Sequence, residues 1–171
     1  MLLIAFVLVF GFVRPVIAAP FYVGSGSMEP TLHGCPGCSN DRLLINKLAY
    51  DFADPKRGDI VLLEDQRGGN DPLIKRVVGL PGETLEIRQG KLFVNDDPLD
   101  EPYVRNDPCK RGYPRTCFFG PRTIPKDHVF VMGDNRTSSV DSRFFGPVPE
   151  DDVIGEALVR FWPPGRAGGP G

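Results

Sequence analysis

Turn-forming residues interrupt the chain at short intervals after residue 20, and this spacing is what most limits its fold. The 171 residues include 20 glycines and 18 prolines, a load that disfavours long helices. Between the turns at Pro55–Asp59, Gly79–Gly82 and Gln89–Gly90, the chain runs in short apolar or alternating segments. Such segments are typical of strands joined by tight turns. The sequence therefore predicts an all-β fold with an antiparallel sheet.

The predicted strands are short and follow one another along most of the chain. They are Phe21–Val23, Leu43–Ile45, Ile60–Leu63, Leu73–Val78, Leu85–Arg88, Lys91–Val94, Val129–Met132 and Ile154–Phe161. We expect a core formed in two parts by residues 20–88 and 126–162, with a small second β-domain inserted at 89–125. The Gly/Pro-rich residues 163–171 are expected to be a disordered tail.

The N-terminal segment is apolar apart from one charge at Arg14. As a helix, Met1–Val13 would span ~20 Å, which is short of the ~30 Å hydrocarbon core. The span becomes sufficient if the helix continues to Ala19 with Arg14 reaching the lipid interface. A cleavable signal peptide ending at Ala18–Ala19 is the alternative. We expect residues 1–19 to be a transmembrane anchor whose true start lies upstream, and either interpretation exports the rest of the chain.

Four cysteines form two close pairs, Cys35 with Cys38 and Cys109 with Cys117. Local pairs of this kind indicate disulfides in an exported domain. A zinc site is the alternative for the first pair, which has knuckle-like spacing, but the second pair is wider and has no adjacent histidine. Free thiols remain a third possibility. We expect two local disulfides and no metal.

Four segments carry residue patterns that stand out: Ser25–Leu32, Arg57–Leu63, Ile74–Glu83 and Gly133–Arg143. In this order they resemble the conserved boxes of type I signal peptidase, the bacterial leader peptidase, and the resemblance covers almost the whole chain. It implies a Ser/Lys protease fold shared with self-cleaving repressors. It also implies a membrane-bound serine endopeptidase that removes signal peptides from exported preproteins, after small residues at the first and third positions before the cut.

A serine hydroxyl is a poor nucleophile at neutral pH and needs an adjacent base. His33 and His128 have no orienting carboxylate that the pattern identifies, so a Ser-His-Asp triad lacks support. Lys75 is flanked by apolar residues on both sides, and burial of its ammonium would lower its pKa. A shift from ~10.4 to about 8 costs roughly 3 kcal/mol. The resemblance accordingly implies that Ser27 is the nucleophile and Lys75 the general base.

The resemblance also assigns supporting roles around this dyad. The Ser25 hydroxyl is expected to join the backbone N–H of Ser27 as the oxyanion hole. Ser139 is expected to hydrogen-bond the lysine amine and orient it. Two acid–base pairs are expected to give structural support: Asp141 with Arg143, and Asp134 with Arg76.

Apolar residues near the nucleophile are the candidates for the substrate pockets. The set comprises Phe21, Val23, Met28, Leu73 and Ile74. Ordinary core packing is the alternative for each of them. Shallow apolar walls would select small side chains, and the substrate is expected to bind as an added strand.

Two other functions fit parts of the pattern. A self-cleaving protease of the repressor type would need a DNA-binding helix-turn-helix and no anchor, and a β-rich binding module would not need the complete dyad. The net charge of −2 gives no electrostatic footprint for nucleic acid. We expect no cofactor. The expected partners are preprotein signal peptides and the lipid bilayer near the secretion translocon, with one span in the cytoplasmic membrane and the catalytic domain outside.

Overall fold

The computed structural model describes residues 18–35, 37, 39–105, 109 and 114–171. Within this part the chain forms two antiparallel sheets, which confirms the predicted all-β class. The strands are β1 (Ala18–Tyr22), β2 (Arg42–Asn46), β3 (Ile60–Leu63), β4 (Leu73–Gly79), β5 (Thr84–Arg88), β6 (Lys91–Val94), β7 (Asp97–Pro98), β8 (Phe119–Thr123), β9 (His128–Met132), β10 (Val148–Pro149) and β11 (Val153–Trp162). The helices are short: α1 is Pro114–Cys117 and α2 is Ser142–Phe145.

The larger sheet has seven strands in the order β1-β2-β11-β3-β4-β9-β10. It curls enough that β1, at one edge, and β4, four places along, line the same cavity. Side chains of β3 show how the sheet is packed on both faces. Ile60 and Leu62 join one apolar cluster, whereas Val61 and Leu63 join another, because successive strand residues point to opposite faces. This part of the sheet is therefore rigidly held from both sides.

The smaller sheet has four strands in the order β7-β6-β5-β8. Its β5–β6 hairpin turns at Gln89–Gly90, where φ is 50° and 78°, the left-handed conformation that tight hairpins require. The sheet begins at Thr84, so β5, which we expected in the first part of the core, belongs to the second domain. The reason is strand pairing: Leu85 of β5 pairs with Val94 of β6 and with Arg122 of β8.

The C-terminal residues fold back on the larger sheet instead of forming the disordered tail we expected. A 3₁₀ turn covers Pro164–Arg166, and Gly168 exchanges two backbone hydrogen bonds with Arg160, at 2.8 and 3.0 Å. Arg166 Nη1 lies 3.1 Å from Oδ1 of the buried Asp41. Local composition could not predict this order because the partner carboxylate is distant in sequence.

The expected anchor, residues 1–19, lies outside the described residues up to residue 17. Ala18 and Ala19, which we placed at its end, begin β1. In the part of the chain that the structure describes, no helix is long and apolar enough to cross a bilayer.

The second cysteine pair is bonded as predicted. Cys109 and Cys117 form a disulfide with their Cα atoms 4.8 Å apart, which fastens α1 to the preceding loop. Cys35 is also disulfide-bonded, but the predicted pairing involves Cys38, which lies outside the described residues.

Candidate active site

Ser27 lies in a 3₁₀ turn, Gly26–Met28, that follows β1. Two hydrogen bonds from Asn135 hold this turn: its backbone N–H donates to Ser27 O at 3.0 Å, and its Nδ2 donates to Gly26 O at 2.9 Å. Met28 packs into the core with no exposed surface. The hydroxyl-bearing residue is thus fixed between a buried neighbour and an amide clamp.

Lys75 stands in the middle of β4 and is only 3% exposed. Its Nζ donates to Ser27 Oγ at 2.8 Å and to Ile74 O at 2.8 Å. The fold thereby brings together the two residues that the sequence pattern singled out, although 48 positions separate them.

Burial lowers the pKa of Lys75 from 10.5 to about 8, because water no longer solvates the ammonium. Asp141, Asp134 and Asp65 act against this shift, while the nearby cation Arg67 adds to it. With a pKa of about 8, roughly a tenth of the amine is neutral at pH 7. A usable fraction of Lys75 can therefore accept a proton under neutral conditions.

The Ser25 hydroxyl lies beside the nucleophile. Its Oγ is 3.2 Å from Ser27 Oγ, and Ser25 lines both cavities that flank the dyad. This O–H donor therefore faces the space that a reacting carbonyl would enter.

Ser139 does not make the hydrogen bond to Lys75 that we expected. Its Oγ is buried and has no hydrogen-bond partner among the described residues, and the Lys75 amine donates to Ile74 O and Ser27 Oγ. Ser139 packs against Gly133, where an added Cβ would lie 2.4 Å from both Ser139 Oγ and Ser27 O. Gly133 is needed there because no side chain fits between them.

Asp134 and Arg76 form one of the two expected acid–base pairs. Arg76 Nε and Nη2 donate to the carboxylate at 2.9 and 2.8 Å, and both side chains are almost fully buried. Thr31, four residues after Ser27, donates its hydroxyl to the same carboxylate at 2.5 Å. The pair therefore connects β4 to the segment that follows the nucleophile.

Asp141 and Arg143 form the second pair, with no exposed side-chain surface on either residue. Arg143 Nε and Nη2 donate to Asp141 at 2.8 and 2.7 Å. Asp141 also accepts from the backbone N–H of Gly133 at 3.0 Å and caps α2 through the Arg143 N–H. This carboxylate thus fixes the loop that packs against Ser27.

Two cavities flank the dyad and share Ser25, Arg67, Leu73 and Lys75. The first, about 380 Å³, extends along β1 and the start of β4. The second, about 540 Å³, is lined by Ser27 and by residues of the Gly133–Arg143 segment. A bound chain can therefore pass the dyad from one cavity to the other.

The five residues expected in the substrate pockets divide into two groups. Phe21, Leu73 and Ile74 line the first cavity. Val23 and Met28 are fully buried in the core beneath it and line neither cavity, so for these two the core alternative is correct. Tertiary packing decides this, because an apolar residue beside the nucleophile can face either way.

Sequence reasoning missed three residues at the site. Asn135 and Thr31 lie inside segments that the sequence patterns singled out, but the patterns did not indicate what either side chain does. Arg67 lies in a polar loop between β3 and β4, and no pattern singled it out. Only the fold brings it next to Lys75.

Comparisons with known proteins find relatives that match most of this chain. The family described as "Signal peptidase, peptidase S26" matches residues 1–162. A signal peptidase I of Leptolyngbya laminosa is 41% identical over 163 residues, covering 91% of this chain and 74% of the relative. A signal peptidase I of Bacillus amyloliquefaciens is 37% identical over 155 residues, covering 88% and 80%. The crystal structure of a signal peptidase I from Enterococcus faecalis V583 superposes with a TM-score of 0.53 at 35% identity, covering 62% of this chain and 98% of that one.

Proposed function

Because the chain belongs to the signal peptidase family, peptidase S26, we propose that it is a membrane-bound endopeptidase whose Ser27 and Lys75 form the catalytic dyad. The family relationship makes it a serine peptidase that cleaves signal peptides. The dyad, the preference at the cleavage site and the membrane attachment are the proposal.

The contact between Lys75 Nζ and Ser27 Oγ, at 2.8 Å, is the observation that carries the proposal. A general base must be within hydrogen-bond reach of the proton it removes. Burial supplies the second requirement, since it brings the pKa of Lys75 to about 8. In the described part of the chain no histidine hydrogen-bonds Ser27 Oγ: the His33 ring contacts Glu29 and the His128 ring contacts Lys126 O.

Acylation begins when neutral Lys75 takes the hydroxyl proton and Ser27 Oγ attacks the scissile carbonyl carbon. The carbonyl oxygen becomes an oxyanion, which we expect the Ser25 hydroxyl and the Ser27 backbone N–H to stabilise. A donor of this kind is worth about 3 kcal/mol in the transition state. The C–N bond then breaks, and Lys75 returns its proton to the leaving amine.

Deacylation repeats the same chemistry with water in place of the serine hydroxyl. Lys75, neutral again, removes a proton from water, and the hydroxide attacks the ester carbon of the acyl-enzyme. Ser27 leaves with the proton that Lys75 returns. One buried amine therefore serves as base and acid in both halves of the reaction.

The substrate is proposed to bind along the first cavity. Among the described strands β1 pairs only with β2, so its other edge offers backbone groups to an added strand. Phe21, Leu73 and Ile74 wall this cavity, and apolar walls of limited depth favour small side chains before the cut. This supports the expected preference at the first and third positions.

Attachment to the membrane is proposed from the apolar residues 1–19, which lead directly into β1. Few residues separate this segment from Ser27, so an anchor there would hold the nucleophile close to the outer surface of the cytoplasmic membrane. Signal peptides of exported preproteins emerge at that surface, near the translocon.

The test is cleavage of a preprotein by the full chain in membranes or detergent. The substrate carries alanine at the first and third positions before the cut. Ser27→Ala and Lys75→Ala are each expected to reduce kcat/KM by at least three orders of magnitude, because each removes a member of the dyad. Lys91→Ala, which removes an exposed lysine of the smaller sheet, is the matched control and should match wild type. Wild-type rates in either dyad variant would disprove the proposal.

A further inference from the structure

Arg67 lies where the two cavities meet. It belongs to the polar loop between β3 and β4, and it is one of the few residues that line both cavities. The others are Ser25, Leu73 and Lys75. A chain passing from the first cavity to the second must therefore pass the Arg67 guanidinium beside the dyad.

The loop holds this guanidinium in place through Asp65. Arg67 Nε and Nη2 donate to the two carboxylate oxygens at 2.7 and 2.8 Å, and the Arg67 backbone N–H donates at 3.0 Å. Gly68 N–H donates to Asp65 O at 3.0 Å, and a Cβ at Gly69 would lie 2.3 Å from Asp65 Oδ2. The loop is thus wrapped closely around the carboxylate.

Exposure within this pair is uneven. The Asp65 side chain is 6% exposed, whereas the Arg67 side chain is 49% exposed. Among the described residues, the recorded side-chain hydrogen bonds of Arg67 come from Nε and Nη2 alone. The guanidinium therefore keeps hydrogen-bonding capacity to spare at Nη1, and Arg67 lines both cavities.

Resting on the proposed cleavage of signal peptides, we propose that Arg67 is a specificity-determining residue that contacts the substrate just after the scissile bond. Its guanidinium favours an acidic side chain at the first residue after the cut and disfavours a basic one. The positions of the two cavities indicate on which side of the scissile bond this contact lies. The residues before the cut occupy the cavity along β1, so the leaving chain enters the cavity lined by Asn135 and Val140.

Arg67 also influences the charge of the general base. The charged groups that act on Lys75 are Arg67, which lowers its pKa, and Asp141, Asp134 and Asp65, which raise it. Loss of the Arg67 charge removes a cation that lowers the pKa of Lys75, so this pKa rises. The acidic limb of the pH–rate profile should then move to higher pH.

The test measures kcat/KM for three preproteins that differ only in the first residue after the cut: aspartate, asparagine or lysine. For wild type we expect the aspartate substrate to be cleaved about fivefold faster than the asparagine one, and the lysine substrate about fivefold slower, as for a partly exposed ion pair. Both ratios should shrink as ionic strength rises.

Two variants and a matched control isolate the effect of the Arg67 charge on these ratios. Arg67→Gln should bring both ratios close to one, whereas Arg67→Lys should keep most of the preference. Arg88→Gln is the control, because Arg88 is 44% exposed and likewise paired with carboxylates, but lies in the smaller sheet. This control should retain the wild-type ratios, and the acidic limb of its pH–rate profile should lie at the wild-type pH.

The outcomes separate this inference from the proposed function. The role of Arg67 is overturned if the wild-type ratios are near one, or if Arg67→Gln leaves them unchanged. The peptidase proposal remains intact in either case, provided that cleavage of the asparagine substrate depends on Ser27. Failure of wild type to cleave any of the three substrates overturns both. Ratios that collapse in Arg67→Gln and persist in Arg67→Lys support the inference.

Discussion

The larger and smaller sheets differ in where they place their charged side chains. In the larger sheet and the loops packed on it, seven charged residues are nearly or fully buried: Asp41, Lys75, Arg76, Asp134, Arg136, Asp141 and Arg143. In the smaller sheet, Arg88 pairs with Glu86 and Asp96 at the surface, while the buried positions of the β5–β6 hairpin are apolar.

The free-energy cost of burying charged groups shows what this difference between the sheets means. A buried ion pair is often no more stabilising than well-packed apolar residues of similar volume. The larger sheet and its loops nevertheless keep such pairs, and two of them, Arg76–Asp134 and Arg143–Asp141, are joined to segments that contact the Ser27 turn. Stability alone does not account for them, whereas positioning Ser27 and Lys75 does. The smaller sheet has an ordinary apolar core and surface charges, as a supporting scaffold would.

The largest effect is expected from breaking a buried pair in the larger sheet. Asp141→Ala leaves Arg143 buried without its carboxylate, which should reduce the free energy of unfolding by about 3–5 kcal/mol. Chemical denaturation of the full chain in detergent measures this. The double variant Asp141→Leu, Arg143→Met should recover much of the loss, since no unpaired charge remains. If Asp141→Ala unfolds at the wild-type denaturant concentration, the charges of the larger sheet are not structural.

The second prediction concerns the pH dependence of stability that Lys75 imposes. Its pKa is about 8 in the folded state and 10.5 as the ordinary value, so between these values the unfolded chain binds more protons. The free energy of unfolding should therefore rise with pH from 8 to 10.5, by roughly 3 kcal/mol from this residue.

Lys75→Met isolates this contribution, because Tyr50 and Tyr103 also titrate at high pH. Their pKa values are raised, chiefly by burial. The difference in the free energy of unfolding between wild type and Lys75→Met should follow the titration of Lys75 alone. Lys91→Met should have the pH dependence of wild type. Wild-type activity should rise with the same pKa of about 8. A profile flat from pH 5 to 9 would count against a lysine base.

A smaller effect is expected at the amide clamp of the nucleophile turn. Asn135→Ala removes the Nδ2 bond to Gly26 O and a long bond that Oδ1 accepts from Thr137. It keeps the backbone bond to Ser27 O, so one hydrogen bond to the turn is lost. Loss of one neutral hydrogen bond, worth about 1 kcal/mol, should lower kcat/KM roughly fivefold to tenfold. Asn95→Ala is the control, because Asn95 Oδ1 accepts from Thr84 N–H in the smaller sheet. Equal losses of activity in both variants would remove the distinction between the sheets.

The smallest effect is expected at the surface of the smaller sheet. Arg88→Ala removes an exposed side chain from its contacts with Glu86 and Asp96, and such pairs contribute little in water. The unfolding midpoint and kcat/KM should both match wild type within error. A clear loss of stability would show that the smaller sheet depends on its charges as well.

Much of the fold was readable from local signals. Alternation, turn residues and the Gln89–Gly90 hairpin predicted most strands, because these features depend on a few neighbouring residues. The structure pairs β5 with strands of the smaller sheet, ahead of the boundary expected at residue 89, because pairing partners distant in sequence decide which sheet a strand joins. The expected disorder of residues 163–171 was wrong because their partner, Asp41, lies far away in sequence.

The sequence by itself singled out the residue types of the proposed dyad, since the motifs around Ser27 and Lys75 are specific together, and it predicted the pairing of Cys109 with Cys117. Tertiary structure decided the directions of side chains. It placed Val23 and Met28 in the core, left the Ser139 hydroxyl without the expected bond to Lys75, and brought Asn135 and Arg67 to the site. A linear pattern fixes which groups are available, but hydrogen bonds and burial depend on distances that only the packed sheet defines.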